Sequence, residues 1–589
     1  MKTNKKVFSR SMLIIVLAFV MIFVTACGDS DKDKGPDKPD SAGNSQAVFA
    51  GGWPYETVPT GHFNMFIANA IDLKYFRELH QLPLATYRAD TEEYIPMLAE
   101  SWELADDKKS MKLTLRDDVE WRSGEKFTSK DVVATFLTYR LVGDSVWNYI
   151  DKVEAISDNE VEFNIQEGTT MLYRYILRKP MVDHATYGEY SDKLAALIED
   201  GKDNTSSEWE SLVNDFTNFR PEIVNATGPY YLDPSNVSQS NVKLAKNDKS
   251  FLADKVNFDE VLVYNGDVAD LTPLVLNKEV DYLTHQFPSA SMESFKQAGY
   301  NTIQLEGSDG IGLYINQDVK PLDKKEVRQA LAHIIDRNRV AEFALPGVTR
   351  GTKYLSGLGD QMTEDWVESS KLIEYDVNAD KASKLLESVG LTKKGDTWQL
   401  EDGKEFTLSL QAPSSWSDAA TAANEISQQL TAFGIKTTFD GIDPNSRQAN
   451  IDDGKYDLAL SFFGTGKPHA AFAFETALLL SNANVSKGLS YPMVQETEIA
   501  GKVDLEKLIK EATEGWDEEL QKEKVEKIVY TINETVPYIP IYTKWSNNLS
   551  SSGMRTDWGS DDGLYLNSAG DDNFTVLKIL NGELKPINK

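Results

Sequence analysis

Three short stretches of this chain combine aromatic rings with polar or charged tips, a combination suited to gripping a solute. Trp53-Pro54-Tyr55, with His62 and Phe63 a few residues on, is the first. Trp416-Ser417-Asp418 is the second, and Phe462-Phe463 with Lys467-Pro468-His469 is the third. An aromatic face offers large contact area at small entropy cost, and its polar tip adds a hydrogen bond. Each stretch follows an apolar strand-like segment, at the edge where ligands lie in open α/β sheets. Taken singly, any one of these aromatics is equally well explained by core or loop packing. The candidate ligand-binding residues are Trp53, Tyr55, Phe63, Trp416, Asp418, Phe462, Phe463 and His469.

Reaction chemistry finds no comparable constellation. With 92 carboxylates in the chain, an acid pair carries no weight as a glycosidase signature. The six histidines are scattered, without an H-E-x-x-H or an i, i+4 pair. Gly-x-Ser-x-Gly is absent. Gly464-Thr465-Gly466-Lys467 lacks the first glycine and the following Ser/Thr of a phosphate loop. No catalytic residue, cofactor or metal site is expected.

The single cysteine, Cys27, closes a leader. Lys2, Lys5, Lys6 and Arg10 form a basic start, and an uncharged apolar run from Met12 to Val24 leads to Val24-Thr25-Ala26-Cys27. That is the pattern of a secretory signal peptide over 1–26, with an apolar run too short to span a bilayer comfortably. The ending resembles a bacterial lipobox, in which the cysteine is lipidated; an ordinary cleaved signal is the alternative. Two acyl chains meet the requirement for stable anchoring. Residues 27–46 are charged and almost free of apolar side chains, a solvated tether. Lipidated Cys27 leaves no thiol for disulfides or cysteine-based metal sites.

The length of 589 residues implies two to four domains. The net charge is −31, and loss of the four leader cations makes the mature chain four units more acidic. Such a field disfavours nucleic acid and anionic membrane surfaces as partners. Strand and helix patterns interleave. Met111, Leu113 and Leu115 alternate, Thr128 to Asp131 reads as a capping box, and the next stripe holds Val132, Val133, Phe136 and Leu137. Asp323 and Glu326 are spaced to cap a helix bearing Val327, Leu331, Ile334 and Ile335, with Arg328 and Asp336 near one face, placed for surface or inter-element pairing. Strands at 406–410, 435–439 and 456–462, with a helix ending at Gly434 between the first two, predict α/β lobes with largely parallel sheets. The polar stretch 199–210 reads as a surface insertion.

Six motifs in register resemble family 5 extracellular solute-binding proteins, the oligopeptide-binding type that serves ABC importers. They are Ala99-Glu100-Ser101-Trp102 with Trp121-Arg122-Ser123-Gly124 and Thr128-Ser129-Lys130-Asp131-Val132; Thr227-Gly228-Pro229-Tyr230; Asn316, Pro321 and Val327-Arg328-Gln329-Ala330 with Ile335-Asp336-Arg337; 380–390; Gly454-Lys455-Tyr456-Asp457-Leu458; and Pro537-Tyr538-Ile539-Pro540. The resemblance implies an α/β, two-lobed periplasmic-binding-protein-like fold (type II, cluster C-like) with an inserted α+β domain and a hinge. Mapped by the motifs, 47–76, 191–305 and 541–589 form the core of lobe 1, 77–190 the inserted domain, and 306–540 lobe 2. The crossings fall near 307–312 and 537–542.

The resemblance further implies capture of an oligopeptide or oligosaccharide by lobe closure, delivery to ABC permease subunits, and a monomer anchored at the outer face of the cytoplasmic membrane. Peptide binders of the family commonly carry an aspartate just after the strand equivalent to 456–462, paired with the peptide ammonium. Here Phe462 to His469 contains no acid. The Pro413 to Asp418 turn resembles the oligosaccharide-binding branch, where a tryptophan stacks on a pyranose. Peptide and sugar both stay open, with a metal- or haem-binding member, or a secreted hydrolase, as alternatives.

Overall fold

The computed structural model describes residues 46–589 except 306, 468, 483–487, 561–562, 568–571 and 588–589. Cys27, the leader and all but the last residue of the expected tether lie outside the described residues. Strand β1 (Val48–Gly52) opens the fold, and four of its five residues are buried, as a strand flanked on both sides requires. After a short 3-10 helix (Lys74–Leu79) the chain enters a smaller unit. This unit holds β2 (Ala99–Leu104), β3 (Ser110–Leu115), α1 (Ser129–Leu141), β4 (Ile150–Ser157), β5 (Glu160–Ile165), α2 (His184–Glu199) and α3 (Ser207–Asn218).

The four strands form an antiparallel sheet in the order β2-β3-β5-β4. Met111, Leu113 and Leu115 point into its core, and the capping box predicted at Thr128 is formed. Leu137 and Leu141 of α1, Tyr187 and Leu194 of α2, and Trp209 and Phe216 of α3 share one apolar cluster. That packing carries the unit past the expected boundary at 190 to the end of α3. It also corrects the reading of 199–210 as pure surface, because Trp209 is buried.

The chain then completes the first sheet with β6 (Tyr230–Val237), β7 (Asn241–Lys246), β8 (Glu260–Tyr264), β9 (Tyr282–Leu283) and β10 (Asn301–Leu305). A second body follows: β11 (Asp309–Ile315), α4 (Lys325–Ile334), α5 (Arg337–Ala344), β12 (Thr407–Pro413), α6 (Ser417–Phe433), β13 (Lys436–Ile442), α7 (Arg447–Asp452), β14 (Leu458–Gly464), α8 (Glu518–Thr535) and β15 (Tyr538–Thr543). Strand β16 (Ser546–Ser550) returns to the first sheet. The seven-stranded sheet runs β10-β16-β9-β1-β8-β7-β6 and the five-stranded one β13-β12-β14-β11-β15.

The sheets are mixed, which corrects the expectation of largely parallel ones. Only β1 with β8 and β9, and β12 with β13 and β14, pair parallel. Strands β6, β7 and β8 pair antiparallel, and the link between β6 and β7, residues 238–240, is too short for a crossover.

Two elements differ from their sequence reading in detail. Helix α4 has Lys324 at its N-cap with no side-chain bond, while Asp323 pairs with Lys320 at 2.8 Å. The helix stops at Ile334, so Asp336 lies beyond it and caps α5 by accepting from Arg339 N. Arg328 is only 3% exposed and turns inward, so of the two roles expected for it the inter-element one is formed. It donates to the carbonyls of Leu322, Asp323, Thr535 and Val536. The last two close the C-terminal end of α8, where carbonyls lack helical partners and a cation suits the helix dipole.

Among the described residues, the chain passes between the two sheets directly at 307–308 and at 544–545. Strand β15 pairs with β11 as far as Thr543, so the second crossing lies beyond the expected 537–542. The crossings run side by side, with Lys544 N donating to Asp309 O at 2.8 Å. A Cβ on Gly307 or Gly310 would collide with the carbonyls of Lys544 or Tyr542, so glycine permits this approach.

Candidate functional site

Two of the aromatic stretches lie at strand ends on either side of this hinge, and they are linked through Asp309, which interacts electrostatically with Lys74 on one side and Lys544 on the other. Trp53 follows β1 and lies 4.2 Å, ring centre to ring centre, from Tyr75. The Lys74 ammonium sits over both rings, 5.1 Å from Trp53 and 5.4 Å from Tyr75. Lys74 holds a left-handed backbone at φ 40°, which a non-glycine residue adopts only when its surroundings impose it. A recess of about 300 Å³ is lined by Trp53, Pro54, Tyr55, Glu56, Ala70, Asp72 and Lys74.

The opposite wall is built at the ends of β12, β13 and β14. Half-buried Trp416 and Phe462 lie 5.7 Å apart. Arg447 and Lys544 cover the pair, each 5.0 to 5.9 Å from the two ring centres. Asp418 is buried beneath, 3.1 Å from Lys544 Nζ, and accepts from the Tyr542 hydroxyl at 3.3 Å.

Between the walls lies Asp309. Burial raises its carboxyl pKa, against the opposing pull of Lys544 and of Lys74 from the first lobe. Register places Asp309 directly across from Gly464, beside the loop that lacks an acid. Sequence reasoning missed this residue because it searched along β14, whereas the acid comes from the neighbouring strand.

On the side away from the hinge, the smaller unit touches the second lobe. Gly515 N donates to Gly168 O at 2.7 Å, and Thr170 Oγ1 donates to Gln521 Oε1 at 2.8 Å. The hydroxyls of Tyr149 and Thr513 are bonded, and Tyr175 meets Phe472 edge-on at 6.1 Å. Gln521 is fully buried; its amide nitrogen donates to the carbonyls of Thr513 and Gly515. Nearby, Lys467 keeps 51% and Glu475 42% of their side chains exposed. Yet burial lowers the pKa of Lys467 and raises that of Glu475. Groups reached by water but hemmed in by protein are what the wall of a cleft contains.

The sequence candidates therefore divide. Trp53, Trp416 and Phe462 are partly exposed. Tyr55 donates its hydroxyl to Ser238 O and Phe63 is core. Phe463 packs in the core behind β14, and Asp418 acts through Lys544. His469 accepts from Ala471 N at Nδ1, which leaves the proton on Nε2 to donate to Gln521 Oε1, so both nitrogens serve the protein. The alternation that flags a strand cannot tell its cleft-facing residues from its core-facing ones. Pro468 lies outside the described residues. Among the described residues no group of three or more His, Cys, Asp or Glu is placed to hold a metal ion, and no helix is long and apolar enough to cross a membrane.

Comparison with known proteins gives consistent matches. The family model described as bacterial extracellular solute-binding proteins, family 5 Middle, matches residues 93–484. The nickel-binding periplasmic protein of Escherichia coli K12 is 23% identical over 477 residues, 78% of this chain and 82% of that protein. The periplasmic oligopeptide-binding protein of an oligopeptide ABC transporter from Thermotoga maritima superposes with a TM-score of 0.71 at 18% identity, covering 92% of this chain and 99% of that one. The mannohexaose-bound form of that protein gives a TM-score of 0.69 at 17% identity, covering 92% and 99%. At such identities the structural likeness speaks to the two-lobed α/β fold alone.

Proposed function

The chain belongs to the family 5 bacterial extracellular solute-binding proteins, and from that premise we propose that it is the capture subunit of an ABC importer for peptides or related solutes. It is a binding protein, not an enzyme. The observation that carries the reading is that Trp53, Tyr75 and Lys74 on one lobe and Trp416, Phe462 and Lys544 on the other are grouped about Asp309, where two adjacent crossings join the lobes. A few φ/ψ changes in such crossings close a cleft. Solute contacts available only in the closed form stabilise it. Asp309 supplies the acid for a ligand ammonium, from the strand beside the one where relatives commonly carry it. Cys27, lipidated, tethers the domain through 27–46 to the outer face of the cytoplasmic membrane, and the closed surface docks on the permease as a monomer.

An oligosaccharide is the second reading, favoured by the half-exposed Trp416 and by the mannohexaose complex of the Thermotoga maritima protein. The test is to add oligopeptide and oligosaccharide libraries to the purified protein. A true solute raises the melting temperature by mass action and shrinks the radius of gyration in solution scattering. Neither change with any library member refutes capture by closure.

A further inference from the structure

The second-lobe wall holds a cation that the protein leaves unanswered. Arg447 opens α7 just beyond β13, with its guanidinium over Phe462 and Trp416. Nη1 donates to Ser461 Oγ at 2.7 Å. Nε is shut off from water and has no hydrogen-bond partner, and among the described residues no carboxylate oxygen comes within 4.0 Å of the guanidinium. Other cations are answered by a carboxylate, Lys544 by Asp418 at 3.1 Å, Arg178 by Asp572 at 2.7 Å and Arg555 by Asp281 at 2.8 Å, whereas buried Arg328 and Arg337 are held by backbone carbonyls instead. Burial lowers the Arg447 pKa, the mark of a charge short of compensation. In a chain of net charge −31, an unpaired guanidinium in the cleft wall locally reverses the field.

The same geometry bears on which solutes fit. Arg447 and Lys544 already lie over the rings of Trp416 and Phe462, so a neutral sugar stacking there competes with two cations. A carboxylate is favoured by both. With Nη1 committed to Ser461 and Nε enclosed by protein, Nη2 is the donor left for a charge-assisted N–H···O bond to a solute carboxylate. We propose that Arg447 is the specificity-determining residue of the cleft and that the solute it selects carries a carboxylate. This rests on the reading of the chain as a cleft-closing solute-binding protein and narrows it. The carboxylate belongs to a chain terminus or to an acidic side chain, and the two sources are separable.

The test uses the full folded chain and calorimetric titration with four probes. Three are synthetic pentapeptide pools: free C-terminus without Asp or Glu, C-amidated without Asp or Glu, and C-amidated with one Asp or Glu. The fourth is mannohexaose. The expected result is that the first or third pool binds about ten- to a hundredfold more tightly than the second, which identifies the source of the carboxylate. Arg447→Gln erases that preference and Arg447→Lys keeps part of it, both with the melting temperature of the unliganded wild type. If Arg447→Gln does not fold, the wild-type preference among the pools and its weakening in Arg447→Lys decide the matter. Equal binding of all three pools, or a carboxylate preference that survives in folded Arg447→Gln, overturns the assignment. Mannohexaose as the sole tight ligand also overturns it but leaves solute capture standing. No binding in any arm overturns both.

Discussion

Acidification should unfold this protein partly through one histidine. His80 follows the Lys74–Leu79 3-10 helix, is 1% exposed, and has no partner at either ring nitrogen. Burial lowers its pKa from 6.5 to about 4, with Asp72 opposing the shift and Arg77 adding to it. Because the folded value lies below the unfolded one, the unfolded chain takes up a proton between these pH values that the folded chain refuses. The stability tied to neutral His80 is therefore fully present above about pH 6.5 and is lost as pH falls toward 4. At about 1.4 kcal/mol per unit, the loss approaches 3 kcal/mol. The assay compares urea unfolding of the wild type and His80→Leu from pH 7.5 to pH 4. The wild type should lose about 3 kcal/mol more than the variant over that range. His62, His285, His333 and His469 are also held low by burial and act in the same direction, whereas Asp131, Asp309, Glu78 and Glu475 are held high and act oppositely. All of these are common to both proteins and cancel in the difference. Parallel stability curves would show that His80 is protonated in the folded state and that its burial has been misread.

Two further outcomes follow from the cleft. Trp416→Ala removes the ring that supports Arg447 and Lys544 and should weaken solute affinity about tenfold, or about 1.4 kcal/mol, with little change in unliganded melting temperature; calorimetric titration checks it, and unchanged affinity assigns Trp416 to packing alone. Gly168→Val places a side chain where the Trp516 indole lies, so it should loosen the contact between the smaller unit and the second lobe. Stopped-flow dissociation of bound solute should then be faster than from the wild type, and an equal rate would remove this contact from the closed-state balance.

What could be read from the sequence was what repeats locally. Met111, Leu113 and Leu115 announce a strand because alternate side chains share a face. Thr128 and Asp131 announce a helix start because they bond each other's backbone, and Gly434 stops α6 at φ 109°, a backbone that suits glycine. The family motifs, the two lobes and the binding character of the chain rest on such short patterns. Trp53, Trp416 and Phe462 were legible as wall candidates for the same reason.

The composition of the site was decided by tertiary structure. Asp309 meets Gly464, 155 residues away in sequence, only because β11 and β14 pair in one register. Lys544 reaches Trp416 because the second crossing passes the end of β12, and Arg447 reaches it because β13 lies beside β12. Thr170 of the smaller unit meets Gln521 with no local pattern in common, and Gln521 also takes His469 out of the binding set. Propensity and periodicity act over a few residues, whereas the charges and rings of the cleft are assembled by sheet pairing and lobe packing across hundreds, and that long-range geometry leaves no periodic trace in the chain.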